Sequence, residues 1–353
     1  MKLSTAVKRL RRARSSAGWR LAATASSALL SLAWTPSRLA TTTWAGSSGR
    51  ISEIAKFGSN PGALRMFVYA PPEPLPLRAP LIVVLHGCGQ DAAGFAENAG
   101  WLALARRIGA ALVLPEQVAA NNRGRCFNWY QPADVKRGGG ELLSIRQMVR
   151  TASKLFGSDP RRVFVAGLSA GGAMAVALLA AYPTVFAAGA VSAGMALGTA
   201  TGSLQALARM RRADPGRSRT ALADAVRRAA PVSQSRIWPR LSIWHGAGDR
   251  TVDPVNAEML AAQWSAVNGL APPPLADTEP APGLRRRLWG TARRASVELW
   301  TLAEMGHGFP VDAKAPGGGR PGPWVLDAGV PAVTHIARFW GLSPSDSEAL
   351  PRR

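Results

Sequence analysis

Between residues 64 and 302 the chain alternates between two kinds of segment, and that alternation constrains the fold more than any other feature. Short apolar or β-branched runs stand at 64–69 (LRMFVY), 81–85 (LIVVL), 111–114 (ALVL), 163–166 (VFVA), 187–192 (AAGAVS), 241–244 (LSIW) and 297–302 (VELWTL). Amphipathic stretches lie between them near 97–108, 141–156, 170–181 and 254–268, with a last one near 330–340. Strands that read as unbroken apolar runs are buried on both faces, so they belong to a mostly parallel sheet covered by helices on either side. The expected class is α/β, a single doubly wound domain over 51–353 behind a basic leader or arm over 1–50. Two segments break the rhythm. Residues 198–236 read as a basic helical excursion able to cover a crevice, and the Pro-rich start of 271–296 reads as a long surface loop.

Composition narrows the function classes. With 47% hydrophobic and 18% charged residues the chain can bury a large core, which excludes disorder, collagen and a coiled coil. No run approaches the roughly 18 apolar residues of a spanning helix, so no membrane span is expected. The formal charge is +22, and residues 1–50 hold nine basic residues and no acidic one. Elsewhere the arginines are scattered in pairs such as Arg161 with Arg162, not gathered in an aromatic-laced stripe, which argues against nucleic acid as a specific partner. The basic arm precedes a weakly apolar segment ending near Trp34, the order of a signal peptide, although Ser and Thr dilute that segment and no clean cleavage site follows. An Arg-rich arm lying on an anionic or apolar surface fits equally well.

The chemistry concentrates after the run VFVA. Gly167-Leu168-Ser169-Ala170-Gly171-Gly172 leads from it into a helical pattern. A serine on a sharp strand-to-helix turn needs small neighbours, which Gly167 and Gly171 supply, and the following amide sits at a helix N-terminus where negative charge is favoured. Ser169 is thus the candidate nucleophile, and it needs a base. Of four histidines, His335 falls inside a helical pattern, while His86 and His245 end apolar strands and suit loop orientation. His307, between glycines in EMGHGFP, is the candidate base. The orienting carboxylate should fall between the two in sequence. Asp249 in HGAGDRTVDP fits, whereas Asp253 directly before Pro254 suits a helix N-cap. Oxyanion donors are expected from the amides of Ala170 and, in the loop His86-Gly87-Cys88-Gly89-Gln90, of Cys88, each contributing roughly 3 kcal/mol.

Taken together, HGCGQ, CFNWYQPAD with the GGGE after it, GLSAGGAM, HGAGDRTV and GHGFPVD resemble the poly(3-hydroxybutyrate) depolymerase family of esterases over roughly residues 64–342. The resemblance implies an α/β-hydrolase fold, a triad of Ser169, Asp249 and His307, and hydrolysis of short-chain 3-hydroxyalkanoate polyesters or oligomers. It also implies a disulfide between Cys88 and Cys126, which would contribute roughly 3 to 4 kcal/mol if unstrained. Such a bridge would hold the oxyanion loop against Phe127, Trp129 and Tyr130, aromatics able to line an acyl groove. The alternative is two free buried thiols with those aromatics in the core. No cofactor is implied, and two cysteines with scattered histidines do not supply a metal site.

One departure bears on partners. Secreted members of this type append a linker and a polymer-binding domain, yet after His307 the sequence reads as a Gly/Pro loop and one helix. That suits oligomers or amorphous granules, on whose surface the basic arm could dock. For location, the cysteine pair and the family point outward, to an extracellular or periplasmic site. The poor leader and the lack of an appended domain point to the cytoplasm, on granules. The rival enzyme reading is a feruloyl or acetylxylan type carbohydrate esterase, since one fold hosts many substrates. The rival from another class is a non-catalytic granule or nucleic-acid binding protein.

Overall fold

A computed structural model describes residues 49–231 and 237–342, so most of the basic arm and part of the 198–236 excursion lie outside the described residues. Among the described residues twelve strands occur in chain order: β1 (Ser52–Glu53), β2 (Arg65–Tyr69), β3 (Leu81–Leu85), β4 (Ala111–Glu116), β5 (Val163–Leu168), β6 (Ala188–Ser192), β7 (Arg240–Gly246), β8 (Ala276–Ala281), β9 (Leu284–Thr291), β10 (Arg294–Leu302), β11 (Phe309–Val311) and β12 (Val325–Asp327). The helices are α1 (Ala92–Asn98), α2 (Trp101–Ile108), α3 (Gly140–Leu155), α4 (Ala170–Ala181), α5 (Ser203–Arg211), α6 (Arg219–Ala229), α7 (Val255–Val267) and α8 (Ala332–Trp340).

Ten strands form one sheet in the order β1-β2-β4-β3-β5-β6-β7-β10-β9-β8. The six from β4 to β10 run parallel, and β1, β2, β9 and β8 are antiparallel flanks. Every residue of LIVVL is buried because successive side chains feed two separate cores. Val83, Val113 and Val165 belong to the core on one face, shared with residues of α3, α4, α6 and α7. Ile82, Leu112 and Phe164 meet α1, α2 and α8 on the other, where the rings of Phe164 and Trp101 stack on Trp340. α4 is buried on all sides, which explains its uniformly apolar sequence.

The stretch 271–296 is not a surface loop. It carries β8 and β9, which with β10 form an antiparallel meander turning at Pro282-Gly283 and again at Ala292-Arg293. The polar composition is compatible with strands because the arginines are partnered. Arg286 binds the buried Glu298 at 2.7 Å and lies over the Trp300 ring, while Arg285 binds Asp277 and Arg287 binds Glu258. Pro280 is tolerated because β8 is the outermost strand, and the register shifts across it. The 97–108 stretch also differs. It is two helices, α1 and α2, parted at Gly100, whose φ of 84° breaks the helix.

Parallel strands bring their carboxyl ends to one edge of the sheet, and loops at that edge are where such folds place their sites. β5, β6, β7 and β10 end there at Leu168, Ser192, Gly246 and Leu302.

Candidate active site

β5 stops at Leu168 and α4 starts at Ala170, so Ser169 alone makes the turn, with φ 56° and ψ −117°. A non-glycine residue rarely adopts this conformation, and surrounding contacts must enforce it. The amide of Ser169 donates to Ser192 O at 2.8 Å, and its carbonyl accepts from Ala173 N at 2.9 Å. The glycines allow the close approach. A Cβ at Gly167 would lie 2.3 Å from Gly171 O, and one at Gly171 would lie 2.4 Å from both Leu85 O and His86 O. Gly171→Ala should therefore destabilise the fold by roughly 3 kcal/mol, read as a lowered urea midpoint. An unchanged midpoint would show that the elbow is not clamped against β3.

Two further loops converge on this turn. Asp249 follows β7, and its buried carboxylate accepts three hydrogen bonds and lies against a second histidine. Thr251 N and Val252 N donate to Oδ1 at 2.8 and 2.9 Å and His307 Nδ1 donates to Oδ2 at 2.7 Å, while His245 Nε2 lies 3.1 Å from Oδ2 and bonds Val252 O at 3.0 Å. Burial would raise its pKa, but the two adjacent histidines and the Val252 amide outweigh it and hold the carboxyl well below the usual range. With a carboxylate on Nδ1, His307 carries its proton there and leaves Nε2 free to accept one. The His307 loop meets the elbow through Ser192, whose hydroxyl donates to Gly308 O at 2.8 Å and whose carbonyl receives the Ser169 amide. Asp253 stands one residue before the N-cap of α7, which is Pro254 and not Asp253 as expected, and its carboxylate accepts from Val255 N at 3.0 Å and Ala213 N at 2.9 Å. His335 is half-buried on α8 beside Trp244 and Trp300, away from this cluster.

The loop after β3 supplies one unpaired amide. Gly87 N donates to Gln90 Oε1, Gly89 N to Gly124 O and Gln90 N to Gly87 O. Among the described residues the Cys88 amide has no such partner, and the first amides of α4, Ala170 among them, have none within the helix by construction. His86 orients the loop from below. It is buried and kept neutral by desolvation, with Nδ1 donating to Gly87 O and Nε2 accepting from Gln117 N.

A strained serine, a histidine on a buried, hydrogen-bonded carboxylate and two free amides at one sheet edge are the parts of acyl transfer through a serine. The model of the esterase PHB depolymerase family matches residues 64–277. The chain is 38% identical over 297 residues to poly(3-hydroxyalkanoate) depolymerase C of Paucimonas lemoignei, covering 83% of this chain and 70% of that one. The chain belongs to the esterase PHB depolymerase family. It is also 32% identical to an acetylxylan esterase of Coprinopsis cinerea over 74% of this chain and 70% of that one. An acetyl xylan esterase structure from Aspergillus awamori superposes with a TM-score of 0.70 at 23% identity, covering 84% of this chain and all of the other, which shows the α/β-hydrolase fold.

In this esterase Cys88 and Cys126 form a disulfide with 4.3 Å between Cα atoms, tying the loop after β3 to the aromatic segment. The expected aromatic groove needs correction at one position. Phe127 has no exposed area and packs on the His86 ring at 5.0 Å, so it is core and presents nothing to a ligand. Trp129 is nearly buried and meets Tyr130 edge-on, while the Tyr130 hydroxyl accepts from Asn122 Nδ2.

Beneath that segment lies a group that motif reading passed over. Glu141, the acid of GGGE, is buried and accepts from Asn128 N at 2.9 Å and from Gln117 Nε2. Burial pushes its carboxyl up to about 8. Unfolded, it would titrate near the ordinary 4.5. Folding therefore binds a proton between those values, and the stability that the protonated group contributes at low pH is lost as pH rises towards 8. Glu141→Gln should flatten that fall, measured as the difference between urea midpoints near pH 5 and near pH 8. An unchanged pH dependence would show that Glu141 titrates normally.

Trp324 also escaped sequence reasoning. It is 48% exposed, has φ 58°, and meets the His307 ring edge-on at 5.7 Å. β11 pairs with β12, and the Trp324 carbonyl accepts from Phe309 N, while Pro323 O accepts from Gln90 Nε2. The strap is thereby fixed both to the histidine loop and to the loop after β3. A cavity of about 530 Å³ behind the histidine loop, lined by Leu302, Met305, Gly306 and His335, contains none of Ser169, Asp249 or Cys88.

Proposed function

We propose that this esterase hydrolyses short-chain 3-hydroxyalkanoate polyesters or their oligomers through an acyl-enzyme on Ser169. His307 Nε2 takes the Ser169 proton as Oγ attacks the ester carbonyl, and Asp249 holds the imidazolium and its tautomer. The amides of Ala170 and Cys88 stabilise the oxyanion of the tetrahedral intermediate. Its collapse breaks the C–O bond, His307 protonates the departing alcohol, and water activated by the same nitrogen then releases the carboxylate. The observation that carries the catalytic assignment is the buried Asp249 hydrogen-bonded to His307, on a loop joined through Ser192 to a serine held at φ 56°. The similarity to the Paucimonas depolymerase over most of the chain supports the polyester.

A carbohydrate acetyl ester is the second reading, favoured by the similarity to acetylxylan esterases in sequence and fold. Purified enzyme should clear an amorphous poly(3-hydroxybutyrate) suspension. Release of acetate from acetylated xylan without clearing would decide for the sugar ester. Trp129 and Tyr130 are proposed to border the acyl site. Contact of the basic arm with granules is part of the same proposal, and unchanged co-sedimentation after deletion of residues 1–50 would remove it.

A further inference from the structure

The large apolar side chains exposed on the described residues are not spread evenly. Leu77, Leu275 and Ile237 precede strands β3, β8 and β7, at the end of the sheet remote from Ser169. Leu204 (85% exposed), Leu207 (47%), Val255 (38%) and Trp324 all lie in connections at the carboxyl ends of the strands, the end that carries Ser169, Asp249 and His307. α5 buries only Ala206, and Leu204, Leu207 and Arg211 follow one another on a single face at helical spacing. A surface helix normally turns such leucines inward.

This helix is nonetheless anchored. Asp253 N donates to Met210 O at 2.7 Å, Ala213 N to Asp253 Oδ2 at 2.9 Å, and Asn256 Nδ2 to Arg209 O at 3.1 Å. These bonds tie the end of α5 to the turn four residues beyond Asp249, with Val255 beside it. Exposed Arg211, Arg212 and Arg250 border the same region.

We propose that α5 and the Val255 turn form an adsorption face that seats the catalytic end on solid, apolar polyester. This rests on the polyester reading of the site. A polyester surface offers methyl and methylene groups, carbonyl oxygens that only accept hydrogen bonds, and carboxylate chain ends. Exposed leucines beside uncapped guanidinium donors complement all three. Because the face adjoins the acid loop and Trp324 adjoins His307, a chain lifted from the surface lies close to Ser169.

The test measures adsorption of full-length Ser169→Ala protein, which cannot digest its support, to pelleted amorphous poly(3-hydroxybutyrate). Adding Leu204→Ser and Leu207→Ser should weaken adsorption roughly ten- to a hundredfold, as expected for two leucines that no longer leave water. In the active enzyme the same pair should slow clearing while leaving kcat/KM for a soluble short-chain ester unchanged, which also certifies folding. Leu204→Trp should strengthen adsorption. Adsorption should persist in roughly 1 M salt, where binding by surface charge alone is screened. Equal adsorption with and without the leucines would overturn the proposal, as would adsorption that vanishes only when residues 1–48 are removed. If wild-type enzyme splits the soluble ester yet neither binds nor clears the polymer, the polyester reading itself fails and the adsorption face falls with it.

Discussion

Ser169→Ala should lower kcat for a soluble short-chain ester by roughly 10⁴- to 10⁶-fold, because a nucleophile that acts as one unit with its base leaves little behind when removed. The protein should stay folded. The bonds that hold the elbow run through the backbone of Ser169 to Ser192 and Ala173, and alanine retains both. Alanine at φ 56° is strained to the same degree as serine, so the urea midpoint should hardly move. The residual rate reflects binding and the oxyanion amides alone. Retention of more than about one-hundredth of wild-type kcat, with an unchanged midpoint, would mean that another group attacks the ester.

Asp249→Asn should cost roughly 10⁴-fold in kcat, and the reason lies in its bonding. Three donors bond Asp249, two backbone amides and His307 Nδ1, and His245 Nε2 lies 3.1 Å from the same carboxylate. An asparagine offers one acceptor oxygen and must point its NH₂ at groups that themselves donate. His307 then loses the partner that fixes its proton on Nδ1, and Nε2 is no longer reliably the basic nitrogen. The carboxyl of Asp249 is held below its ordinary range, so it contributes stability above the unfolded value near 4 that is lost as pH falls further. Wild type should therefore lose stability on acidification below about pH 4 more steeply than Asp249→Asn. Urea midpoints measured across that range decide it, and identical acid limbs would contradict the bonding described.

Much of this was legible in the sequence because the decisive signals were local. Unbroken apolar runs specified a parallel sheet buried on both faces, and the glycines beside Ser169 announced a close approach that the 2.3 and 2.4 Å contacts of added Cβ atoms explain. His307 emerged by elimination because three other histidines sat at strand ends or in a helix. What stayed hidden depended on tertiary partners. β8 and β9 read as a loop because their arginines are polar until Glu298, Asp277 and Glu258 are seen to pair with them. Phe127 lay in an aromatic cluster that suggested a groove, yet the disulfide and the His86 ring turn it into the core. His245 bonds Val252 O and lies 3.1 Å from Asp249 from a position four residues before it, a spacing visible in the sequence but with no pattern to mark its purpose. Trp324 sits in a Gly/Pro-rich stretch with no periodicity, and only the pairing of β11 with β12 brings it to His307.

The most direct measurement is to trap the covalent intermediate. Enzyme mixed with a soluble 3-hydroxybutyrate oligomer, quenched in acid within its first turnovers and digested, should yield one peptide heavier by a single 3-hydroxyacyl unit or short chain of them, modified at Ser169. Ser169→Ala should yield none. Rapid turnover of the oligomer with an adduct at another residue, or with the same adduct in Ser169→Ala, would contradict the mechanism.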